Sequence, residues 1–61
     1  KDPDLAFNCG MIAHHSGAID MAKVVLRHGK DDESKAMARE IIEAQEREIK
    51  EMSSWVAEHT Q

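Results

Sequence analysis

Two runs of four-three spacing, equal in length and separated by one short break, restrict this chain to very few folds. In the first run Phe7, Met11, His14, Ala18, Met21, Val25 and His28 recur at alternating intervals of four and three. In the second, Ala38, Ile42, Gln45, Ile49, Met52, Val56 and His59 do the same, flanked by Met37, Ile41 and Trp55. Such a heptad seam is what an α-helix presents to a packed neighbour. Between the runs lies "RHGKDDES", where Gly29 suits a helix C-terminus and Asp31 or Asp32 can cap the helix that follows. At the start, Asp2 is a good N-cap, Pro3 suits the first helical position, and Asp4 favours the positive end of the dipole. The pattern predicts helices over about 3–28 and about 33–58, each about 39 Å long. Equal helices joined by a short turn specify an antiparallel hairpin, so the fold class is all-α and residues 1–61 form one domain.

A hairpin leaves one side of its seam open. Chains of 61 residues rarely bury enough surface unaided, and rely on disulfides, metals or self-association. Cys9 is the only cysteine, so no internal disulfide forms. Two hairpins packed as a four-helix bundle would close the seam, and a homodimer is expected. Cys9 lies off the seam and is expected to be a small buried or half-buried residue, with a soft ligand as the lesser alternative.

Charge narrows the partners. Eight Lys and Arg against twelve Asp and Glu give a formal charge of −4, with no basic block, which argues against nucleic acid. No apolar run approaches the length of a membrane span. No leader is read in these residues, and a chain that starts at Lys1 leaves the compartment open on that count. Neither a nucleophile–base pair nor a cleft of paired carboxylates can be read, so no catalytic residue is expected.

The chemistry lies in the seam. Bundles ordinarily fill this line with Leu, Ile and Val, whereas here one end holds Met11, His14, Gln45 and Met52. With a turn centred near residues 30 and 31, Met11 falls across from residue 50 and His14 across from residue 47, with Gln45 able to orient the ring. Thioether and imidazole donors together select soft ions, Cu(I) above all. His15, four residues after Met11, joins from the flank. Met21 lies about 10 Å along the axis from His14, so it needs a second ion or another chain's ligands. The paired Glu-x-x-His motifs of di-iron bundles are absent, and zinc prefers thiolate to thioether.

A plainer reading stands beside this one. Methionine is a common seam filler, and a polar seam residue can serve only to fix register, as in a metal-free interaction module. Ala6, Gly10, Ala13 and Gly17 form a ridge of small residues beside the seam, suited to close backbone approach, with clearance for His14 as the alternative role of Gly17. His28 reads as compensation for the helix dipole and His59 as a fraying end.

The segments "AFNCGMIAHHSGAIDMA" and "IIEAQEREIKEMSSWV" resemble the DUF305 family. Its Met-x-x-His-His-x-x-Ala-x-x-Met motif falls on Met11, His14, His15, Ala18 and Met21. Its Gln-x-x-Glu-Ile-x-x-Met-x-x-Trp motif falls on Gln45, Glu48, Ile49, Met52 and Trp55; Cys9 is outside the pattern. The resemblance implies a ferritin-like bundle exported to the periplasm or cell surface. It also implies binding of copper, and of silver, through Met and His ligands in the service of metal tolerance, with no catalytic activity. The candidate ligands are Met11, His14, His15, Met21 and Met52.

Overall fold

The computed structural model describes residues 2–60; the expected domain also takes in Lys1 and Gln61, which lie outside the described residues. It is an antiparallel hairpin of two helices, α1 (Pro3–His28) and α2 (Asp32–His59). The Cα atoms span 45 × 17 × 13 Å. Among the described residues no helix is long and apolar enough to cross a membrane.

Each helix starts where its capping chemistry allows. Asp2 has extended backbone, and its carboxylate accepts from the backbone N–H of Asp4 at 3.0 Å and of Leu5 at 3.3 Å. Those are two of the donors a helix start leaves without an internal partner. Asp31 caps α2 in the same way, accepting from the Ser34 backbone N–H at 2.9 Å and the Ser34 hydroxyl at 2.8 Å. Between them, Gly29 ends α1 with its N–H on the Val25 carbonyl at 2.7 Å. The turn needs glycine for space, not for a left-handed backbone: φ is −73°, and a Cβ would sit 2.5 Å from that carbonyl oxygen.

The covered stripe of α1 runs one position later than the spacing suggested. Asn8, Ile12, His15, Ile19, Ala22 and Leu26 are buried or half-buried, and they meet Ala38, Ile42, Gln45, Ile49, Met52 and Val56 of α2. The α2 stripe is the one expected; on α1 the seam has turned through about 100°. His14 and Met21 are therefore exposed, Met21 at 73 %, and His15 takes the buried place. The reason is that α1 carries two adjacent four-three stripes, and the turn delivers the later one to α2. Small residues close the turn-proximal half, where Ala22 and Ala38 are the most deeply buried and Ile19 sits beside them. Cys9 is exposed, a correction to the half-buried place expected of it. It falls on the polar side of α1 with Ser16, Asp20, Lys23 and Arg27, all of them exposed.

Candidate metal site

The terminal half of the hairpin brings the polar and soft side chains together. His15 projects from the middle of α1 into the covered seam, where it is 7 % exposed. Its Nε2 meets Oε1 of Glu48 at 2.5 Å, which ties the two helices at this level. An ionised carboxylate only accepts, so Nε2 carries the hydrogen and donates it. In the neutral ring that leaves the lone pair on Nδ1. Nδ1 is buried and has no hydrogen-bond partner.

That pairing fixes the register. The spacing placed His14 opposite residue 47; the structure places His15 opposite Glu48, one position further on in both helices. Met11 lies one turn before His15, and Met52 one turn after Glu48. Because the helices are antiparallel, both steps lead the same way, and Met11 and Met52 share the next level. Both are half-buried.

The five candidate ligands thus divide. Met11, His15 and Met52 belong to the covered seam of one hairpin. His14 and Met21 stand on the adjoining open face, and the His14 ring touches that of His15 edge-on, with centroids 6.0 Å apart. Among the described residues, no three His, Cys, Asp or Glu side chains are grouped so as to hold an ion.

Two features escaped the sequence reading as parts of a site. The family motif includes Glu48 but gives it no role, and the spacing makes Gln45 the group that orients a ring; only the rotation of α1 makes Glu48 the partner. His59, expected to fray, stacks on Trp55 with centroids 4.0 Å apart and planes 15° apart, and its Nδ1 lies 2.7 Å from the Trp55 carbonyl. Their i, i+4 spacing was the available signal.

The fold is an all-α antiparallel hairpin of two helices, with methionine and histidine side chains in the terminal half of its seam. The chain belongs to the DUF305 family, described as a domain of unknown function, which matches residues 4–61. A protein of Acanthamoeba polyphaga mimivirus named "Uncharacterized protein L153" is 49 % identical over 45 residues. Those residues cover 74 % of this chain and 30 % of that protein, so the chain spans less than a third of the relative's length. No solved structure matches the chain.

Proposed function

We propose that the hairpin binds a soft monovalent ion, Cu(I) or Ag(I), at the level of Met11, His15 and Met52, for sequestration or handover rather than catalysis. The observation that carries this reading is the unpartnered, buried Nδ1 of His15 on a ring already held through Nε2 by Glu48. Metal-ligating histidines commonly donate their second N–H to a carboxylate, which sets the tautomer and raises the basicity of the ligating nitrogen. The thioethers of Met11 and Met52 supply soft donors at the neighbouring level. Thioethers carry no proton to lose, so they remain competent in acid. In this reading Glu48 holds the ring and does not touch the ion. The bundle is completed by a second hairpin in a homodimer, and the module works in the periplasm or outside the cell.

The rival reading is a metal-free interaction module in which the His15–Glu48 pair only fixes register. It leaves Nδ1 buried without a partner, at a cost of about 1–3 kcal/mol that a metal-free role does not offset. Thermal unfolding with and without Cu(I) under reducing conditions separates the two. Metal binding stabilises the folded state by about 2.7 kcal/mol at a hundredfold excess over Kd. For a chain of this size that corresponds to a rise in Tm of roughly 10 °C or more. The rise should vanish in His15→Leu. An unmoved wild-type Tm would favour the interaction module.

A further inference from the structure

We propose that the open face of the hairpin is the contact surface for a second copy of this chain, with a two-fold axis passing over Gly17 and Ala18 of α1. The proposal rests on the dimeric bundle named above and assigns its face and register.

The face is the four-three stripe of α1 that does not meet α2, with Phe7, His14 and Met21 exposed along it. From Phe7 to Val25 it carries no Lys, Arg, Asp or Glu; the charged residues Asp20, Lys23 and Arg27 fall on the other side of the helix. Phe7 is 63 % exposed, and Met21, Val24, Met37 and Ile41 are exposed with it. Toward the turn, a groove runs between Met21 and Val25 on α1 and Met37 and Ile41 on α2, so both helices contribute to one surface. An apolar surface this continuous on so small a chain marks an interaction site. The hairpin's broad side measures 45 × 17 Å between Cα extremes. That projected extent is comparable to the roughly 800 Å² per partner of a standard stable interface.

Self-complementarity selects a second copy. A two-fold contact pairs each patch with itself. Around an axis at Gly17 and Ala18, antiparallel α1 helices set His14 opposite the partner's Met21, and Met21 opposite the partner's His14. Thioether sulfur at an aromatic edge is a favourable contact. Between these pairs lies a second groove whose floor is Ala13, Gly17 and Ala18, flanked by His14 and Met21. A Cβ built on Gly17 meets nothing within 4 Å, so packing inside the hairpin does not explain a glycine in mid-helix. Close approach of a second backbone does.

The test is solution mass of the full chain in the presence of chelator, combined with cross-linking by a short bismaleimide. Wild type should be dimeric, and G17C/C9S should cross-link. Wild-type Cys9 should not, because this register holds the two Cys9 residues about 25 Å apart along the axis. Gly17→Leu starts from an exposed position where a Cβ meets nothing within 4 Å in the hairpin. It should keep its helical circular dichroism yet raise the dimer dissociation constant at least about thirtyfold, as loss of an interface hot spot does. A wild type that stays monomeric over the whole concentration range overturns the proposal. So does a dimer in which G17C/C9S fails to cross-link, which would leave the dimer itself standing and reject only this face. Cu(I) titration of the monomeric Gly17→Leu variant tests the seam site separately, since Met11, His15 and Met52 lie within one hairpin.

Discussion

The two halves of the hairpin are built from the same helices but for different ends. Toward the turn, the covered seam is Ile19, Ala22 and Ala38, closed by Gly29 and the Asp31 cap. Toward the termini, the same seam holds Met11, His15, Glu48 and Met52, with a buried ring nitrogen lacking a partner. Small residues let the helices approach and carry little side-chain entropy cost on ordering. The terminal half keeps the half-buried Ile12, Ile49 and Val56 and adds to them Met11, Met52 and a polar group whose cost needs an offset.

If that division holds, substitutions in the two halves should separate stability from metal affinity. The largest effect is expected at Ile19, which is 8 % exposed beside the two buried alanines. Ile19→Ala should cost about 2–4 kcal/mol in chemical denaturation, toward the lower part of the range for a core so thinly covered. Cu(I) affinity of the folded protein should stay within a factor of two or so of wild type if the halves are independent. Parallel loss of affinity would show that the halves are one cooperative unit.

Glu48→Gln probes the other half. The amide cannot present the same ionised acceptor to His15 Nε2. Loss of such an outer partner commonly lowers metal affinity 10–100-fold, about 1.4–2.8 kcal/mol. Competition titration with a Cu(I) chelator should show that loss, with a smaller change in the denaturation midpoint because Glu48 is half-exposed. Unchanged affinity would remove Glu48 from the site and, with it, the reason for treating Nδ1 as the ligating nitrogen.

The fold was legible in the sequence because it depends on repeated signals. Two runs of matched length, a break containing Gly29, and caps at Asp2 and at Asp31 or Asp32 agree with one another; the structure selects Asp31 and places α1 and α2 within a residue of the expected boundaries. The site was legible only in part. Phe7–Met11–His14–Ala18–Met21 and Asn8–Ile12–His15–Ile19–Ala22 have the same spacing one residue apart, and periodicity alone cannot say which stripe meets α2. The first contains larger apolar side chains and so looked like the seam. The second won because its Ile19 and Ala22 permit close packing against Ala38, while His15 finds a carboxylate. Glu48 stands in the family motif, but its pairing with His15 depends on which way α1 is rotated.

Gly29 offers a smaller test on the turn side. Gly29→Ala places a methyl 2.5 Å from the Val25 carbonyl oxygen and should force the turn open. Strain of this kind costs about 1–3 kcal/mol. The low end is expected, since Val25 and the turn can shift together, and the thermal midpoint should fall by several degrees without loss of helical signal. An unchanged midpoint would mean that the turn does not fix the hairpin's register.

Asp31 should give the smallest effect, visible in the pH dependence of stability. The hydrogen bonds from the Ser34 hydroxyl and then the Ser34 backbone N–H hold its carboxyl below the usual aspartate value of 3.8. Both bonds favour the ionised form, so the folded state binds this proton less readily than the unfolded chain does. The contribution is therefore fully present above the unfolded-state value and is lost as pH falls through the lower folded-state value. Asp31→Asn keeps an acceptor for the cap but removes the titration. Wild type should hold a small advantage at neutral pH that disappears on acidification, so the two denaturation midpoints converge below the ordinary aspartate range. Midpoints that stay parallel throughout would show that the cap works as a neutral hydrogen-bond acceptor and that the charge at the start of α2 adds nothing to the turn-proximal half.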